Sequence, residues 1–144
     1  MNSIEDELFG LLQWNTEYQE WIGHTIILPY GETEVELPAE YVDSHELREH
    51  IHETMKIIKR DELSFRQRAA NELFADGEYL FFWDENQQFD HNQFVNEMSL
   101  VIITFTDFAN IPFELHYEYG EEGMEQGIII HLTWDGVYSD ARIT

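Results

Sequence analysis

Residues 113–119, FELHYEY, alternate without a break. Phe113, Leu115, Tyr117 and Tyr119 fall on one side of an extended chain. Glu114, His116 and Glu118 fall on the other, because successive strand side chains point to opposite faces. A helical period would scatter these aromatics around its circumference. The segment therefore belongs to a sheet with one buried and one polar face, the habit of antiparallel sheets. Its neighbours agree. GIIIHLTW (127–134) and VYSDARI (137–143) are joined by Asp135-Gly136, a two-residue hairpin signal. SLVIITFT (99–106) is apolar on both faces, as expected of a central strand covered twice. The C-terminal third is thus an antiparallel meander.

The N-terminal third also reads as strands. LLQWN and YQEWIGHTIIL flank a polar turn, and TEVEL alternates like a half-buried strand. After Pro38 the period changes. Asp43 or Ser44 can cap a helix whose Leu47, Ile51, Met55 and Ile58 fall within about 80° on a wheel. A second helix from about Asp61 to Phe74 groups Leu63, Ala70, Leu73 and Phe74, and ADG at 75–77 ends it. HNQFVNEM reads as a short third helix, while EYLFFW suits either period. The expectation is one α+β domain over residues 1–144: N-terminal strands, two to three central helices, and a C-terminal meander, with the helices packed on one face of a single sheet.

Charge restricts the partners. Thirty acidic residues against seven basic ones give a net charge of −23. Such a field disfavours direct contact with nucleic acid or an anionic membrane. The balance is uneven: Arg48, Lys56, Lys59, Arg60, Arg66 and Arg68 share a window of 21 residues with four acids. That window carries +2 and the remainder −25. The ordinary account is solubility; the sharper one is a surface matched to a basic protein. The chain has no cysteine, which excludes disulfides and thiolate metal sites. No apolar run has the length of a membrane span, and the N-terminus lacks a signal-peptide core, so a cytoplasmic location is expected.

Two constellations invite a chemical reading. HELREHIHE (45–53) holds three histidines and three glutamates. A zinc-protease helix needs His-Glu-x-x-His, but Glu49 stands where the second histidine belongs, and His50 follows one residue late. That slip turns a side chain about 100° around the helix, so the motif fails. His45, Glu49 and His52 share the outer face, Lys56 beside them repels a cation, and His50 lies on the other flank. A solvated helix face without metal or cofactor is the expectation.

The second constellation follows from the hairpin. A two-residue turn at Asp135-Gly136 puts Trp134 opposite Val137, and His131 opposite Asp140. Either Glu114 or His116 then lies next to His131, with Glu118, Tyr138 and Arg142 nearby. An imidazole held by a carboxylate is equipment for acid–base chemistry, yet there is no evident nucleophile or phosphate loop. A cross-strand pair stabilising an exposed sheet is the plainer reading. Trp14, Trp21, Trp83 and Trp134 are expected in core or strand-edge packing. GEEGMEQG (120–127) lacks the oxygen spacing of a calcium loop and reads as a solvated turn.

FGLLQWN, WIGHTIIL and the long segment FELHYEYGEEGMEQGIIIHLTWDGVYSDARI, taken in order, resemble a group of poorly characterised bacterial domains of unknown function. In these an aromatic N-terminal hairpin precedes a helical middle and a C-terminal meander. One such family carries Gly-His before the penultimate strand; here Ile128 follows Gly127, and no role for that histidine carries over. Small acidic proteins of this style resemble immunity proteins, which neutralise basic toxin domains. The resemblance implies an acidic binding protein that masks a basic protein partner, not an enzyme. Its face would comprise Glu114, His116, Glu118, Glu121, Glu122, Glu125, His131 and Asp140. A nucleic-acid mimic inhibiting a DNA-binding enzyme, or a small enzyme using the His131–Asp140 row, are the alternatives. The sequence leaves the oligomeric state open.

Overall fold

The computed structural model describes residues 3–120 and 126–144. The architecture is α+β, with one eight-stranded sheet, one long helix and one short one. Strands β1 (Ser3–Asp6), β2 (Gly10–Asn15), β3 (Glu20–Ile27) and β4 (Gly31–Pro38) form a first antiparallel meander. A 3-10 turn (Ala39–Val42) leads into helix α1 (His45–Ala75). A second 3-10 turn (Glu78–Phe81) and helix α2 (His91–Glu97) return the chain to the sheet. Strands β5 (Met98–Thr104), β6 (Phe113–Tyr119), β7 (Gly127–Leu132) and β8 (Tyr138–Ile143) form the second meander. The meanders join where β4 and β5 pair in parallel, through Glu34–Ile102, Val35–Ile103 and Glu36–Thr104. Spatial order thus equals sequence order from β1 to β8. A parallel pair needs a long crossover, and α1 with α2 supplies it.

Helix α1 is continuous where the sequence suggested two helices. Ser44 Oγ accepts the Leu47 N–H at its start, and Gly77, at φ 74°, follows its end in the left-handed region. Its buried stripe runs Leu47, Ile51, Met55, Ile58, Glu62, Phe65, Ala69, Leu73, with Arg66 and Ala70 alongside. The spacing never departs from three or four residues. It is hidden in the sequence because Glu62, a carboxylate, holds a core position. Leu63 and Phe74, expected inside, are 51% and 42% exposed.

Glu62 and Arg66 are almost fully buried and joined at 2.9 Å. Glu62 Oε2 also accepts the hydroxyls of Tyr30 at 2.9 Å and Tyr117 at 2.8 Å. Arg66 donates to the Val95 carbonyl at 3.0 Å and lies over the Tyr30 ring. One carboxylate thus ties α1 to the β3–β4 turn and to β6, and its partner ties α1 to α2. Burial, then the Glu62 charge, holds both tyrosine hydroxyls well above their ordinary pKa.

The sheet curls around α1. Seven inter-strand gaps at about 4.8 Å would make a flat sheet roughly 34 Å wide, against a helix roughly 10–12 Å thick. Yet α1 reaches both edges. His52 meets Phe9 in the β1–β2 turn, while Glu72 accepts from Tyr138 and from the Ala141 N–H on β8. Leu12, Val35, Leu37, Ile103, Leu115, Ile128, Ile130 and Leu132 line the enclosed face. Among the described residues no helix lies on the opposite face, so the expectation that β5 is covered twice is corrected: Val101 and Ile102 are only half-buried. Among the described residues, no helix is long and apolar enough to cross a membrane.

Removing one member of a buried ion pair strands the other. Glu62→Leu should cost about 3–5 kcal/mol in urea unfolding, and Glu62→Leu/Arg66→Met should recover part of that loss. A single variant within about 1 kcal/mol of the wild type would show that the pair does not organise this interface.

Candidate functional site

The uncovered face of the sheet carries the site residues. Register places Ser3, Gln13, Ile22, Glu36, Thr104, Glu114, His131 and Asp140 in one row across all eight strands. A second row contains His24, Glu34, Ile102, His116, Ile129 and Arg142. Glu5, Glu20, Glu32 and Glu118 flank these rows on the same face. Each strand alternates, so its apolar set seals the helix side and its polar set is presented here.

Side chains link the rows. The Thr104 hydroxyl donates to Glu36 Oε1 at 2.6 Å, and its oxygen lies 3.4 Å from His116 Nε2. That nitrogen is 3.2 Å from Glu114 Oε1. The other oxygen of Glu114 lies 3.3 Å from His131 Nε2, and His131 Nδ1 lies 2.6 Å from Asp140 Oδ1. Arg142 Nε is 3.6 Å from the same Asp140 oxygen, but 71% exposed, and adds little. A neutral imidazole has one N–H. His131 therefore hydrogen-bonds to both carboxyl groups only when the ring or one of the two carboxyl groups carries an additional hydrogen.

At the other end of the row, Glu20 stands diagonal to Glu36, within the reach of two long side chains. Partial burial, then the adjacent Glu36 charge and the more distant Glu34, push the Glu20 carboxyl from 4.5 up to about 7. No cation on β2 or β4 relieves it: the residues paired with it are Asn15 and Pro38.

The expected pairing of His131 with Asp140 is present, but the turn that produces it differs. The hairpin closes at Thr133 and Val137 around a three-residue turn, with Gly136 at φ 80°. A bulge then inserts one extra residue, Ser139, between the Leu132–Tyr138 and His131–Asp140 pairs. The longer turn shifts the register by one and the bulge shifts it back. Tyr138, expected beside the row, is turned by this bulge to the helix side. There it is buried and bonds to Glu72 at 3.0 Å. Glu114, and not His116, is the residue opposite His131. His116 joins the row diagonally, and Glu118 lies further along the same face, exposed, opposite Gly127. Glu121, Glu122 and Glu125, with the rest of that acidic loop, lie outside the described residues.

HELREHIHE is only partly a solvated face. His45 is exposed, but His50 stacks on Trp134 with ring centroids 4.2 Å apart, and its Nε2 lies 2.6 Å from the Trp134 carbonyl. His52 packs edge-on to Phe9, with Nε2 2.7 Å from the Tyr41 oxygen. The single Tyr41 proton goes to Asp6 at 2.9 Å, so His52 is the donor in its contact with Tyr41. These histidines fasten α1 to the two ends of the sheet. Among the described residues, no group of three His, Asp or Glu side chains is placed to hold a metal ion. Trp21 and Trp83 are buried; Trp14 packs edge-on to Trp21.

Cavities beside the helix include one of about 390 Å³ next to His52 and Lys56, and one of about 640 Å³ next to His50, Phe108 and Trp134. Neither is lined by the Glu114–His131–Asp140 row. No protein-family model, curated protein or solved structure matches this chain.

A carboxyl group whose folded pKa is raised favours the folded state most below its ordinary value. That contribution is lost as pH rises from 4.5 through about 7. Glu20→Gln should therefore be more stable than the wild type at alkaline pH, the difference shrinking towards pH 4.5 in chemical unfolding. A difference independent of pH would mean that the Glu20 charge is not under strain.

Proposed function

We propose that this chain is an acidic binding protein that masks a basic protein partner, and that the uncovered sheet face is where the partner docks. One observation carries the reading: among the described residues one face of the eight-stranded sheet is left without a helix, and its carboxylates are interspersed with exposed apolar side chains. Ile26 is 58% exposed and Leu11 47%, among Glu5, Glu32 and Glu34. Carboxylates alone would serve solubility. Carboxylates mixed with apolar surface suit an interface in which charge guides encounter and apolar contact retains the partner.

The immunity-type role follows from the resemblance in the order of strands and helices, and makes the partner a basic toxin domain. Binding is favoured over catalysis because neither the cavity beside His52 nor the one beside Trp134 opens over His131 and Asp140. The dense negative charge also repels the anionic substrates that two histidines would suit. A cytoplasmic setting goes with this reading.

The test is capture from native cell lysate across a salt series, using the wild type, Glu32→Lys/Glu118→Lys on the proposed face, and Glu49→Lys on the outer side of α1. The wild type and Glu49→Lys should retain one basic protein at about 50 mM salt and release it by about 0.5 M, where screening is nearly complete within a few ångströms. The double variant should retain at least tenfold less. Equal recovery on the double variant, or no basic protein on the wild type at low salt, would contradict the proposal.

A further inference from the structure

The second half of HELREHIHE borders a cavity that the docking face does not use. Glu7 and Leu8 of the β1–β2 turn face Glu49, His52, Met55 and Lys59 of α1 across about 390 Å³, a volume suited to a small molecule. His52 is held from behind. Its Nε2 donates to the Tyr41 oxygen at 2.7 Å, and the Tyr41 hydroxyl donates to Asp6 Oδ1 at 2.9 Å. Asp6 Oδ2 in turn accepts the Leu8 and Phe9 N–H groups at 3.0 and 2.9 Å. Tyr41 is fully buried; burial, then the bond to Asp6, holds its hydroxyl well above its ordinary pKa, so the proton stays. This relay puts the hydrogen of a neutral His52 ring on Nε2 and leaves Nδ1 as an acceptor. Among the described residues Nδ1 makes no hydrogen bond, and it is not a buried atom, so it is reachable from the cavity that His52 lines. A ring oriented at one nitrogen and open at the other is ready to hold a ligand.

We infer that this cavity binds a zwitterionic α-amino acid with an apolar side chain, its ammonium on His52 Nδ1 and its carboxylate on Lys59. Charge decides the class. Lys56 and Glu53 satisfy each other at 2.9 Å, which leaves Lys59 as the donor, and Glu7, Glu49 and Nδ1 as acceptors. A simple anion would meet the two carboxylates, and a simple cation would meet the lysine. A zwitterion answers both signs, and Leu8 and Met55 provide an apolar wall. Spacing agrees. Glu49, His52 and Lys59 fall within about 80° around α1, and the last two are about 10 Å apart along its axis. Helical side chains lean towards the N-terminus, so Lys59 reaches back towards His52 and narrows the gap to the span of one amino acid. The cavity is separate from the uncovered sheet face, and neither reading depends on the other.

L-leucine serves as the probe, titrated into protein carrying isotopically labelled histidine rings, with His52 followed by multiple-bond proton–nitrogen correlation. The free protein should show the Nε2–H form of His52. Leucine should shift the Nδ1 resonance saturably, with Kd at or below about 1 mM. Isocaproate, which lacks the ammonium, and isoamylamine, which lacks the carboxylate, should each bind at least about tenfold more weakly. Lys59→Ala, at an exposed position, should weaken leucine by a similar factor while leaving the His52 ring form unchanged. No saturable shift at about ten times that concentration, or equal binding of all three probes, would overturn the inference. An Nδ1–H ring in the free protein would remove its basis.

Discussion

One long helix, with the short α2 beside it, covers a sheet of eight strands from one side. The geometry holds because the sheet curls far enough for both of its edges to reach α1. On one edge Asp6, Tyr41 and His52 form a chain of hydrogen bonds. On the other, Glu72 accepts from Tyr138 and from the Ala141 backbone next to the bulge. Between them the Glu62–Arg66 pair, satisfied by Tyr30, Tyr117 and the Val95 carbonyl, sets where the helix sits. A charged group in a core is stabilising only when each of its neighbours is in place. The pair therefore serves as a register mark for an otherwise smooth apolar interface.

The uncovered face is a consequence of that arrangement. With the helix enclosed, the alternate side chains of every strand are left to solvent, and the parallel β4–β5 pairing brings the polar sets of both meanders into one surface. Glu36 on one half and Thr104 on the other meet at 2.6 Å across that junction. Partial burial, then the Glu36 charge, push the Glu20 carboxyl up to about 7.

The strands were legible from alternation. FELHYEY and TEVEL each sit with their apolar sets inward, as β6 and β4. The short helix near HNQFVNEM and the break at Gly77 also followed from local chemistry. The single long helix was not legible, because a carboxylate at Glu62 looks like an end to an apolar stripe until Arg66 and two tyrosines are brought to it from elsewhere in the chain. The His131–Asp140 pair was reached through two opposite errors, a turn one residue longer than expected and a bulge at Ser139. Tyr138 exposes that cancellation, since it lies between the two shifts and faces the helix. The N-terminal acids of this face, Glu20, Glu34 and Glu36, were missed because nothing local marks which strands of two separate meanders become neighbours. The alternation of Glu20, Ile22, His24 and Ile26 was the available signal.

Among the described residues, one face of the sheet stands free. The direct measurement is relaxation of isoleucine methyl groups by a soluble paramagnetic chelate in the free protein. Ile22, Ile26, Ile102 and Ile129 should relax strongly, Ile26 most of all, while Ile103, Ile128 and Ile130 on the helix side should be protected. Equal protection of both sets would show that the supposedly open face is already covered, and would contradict the account.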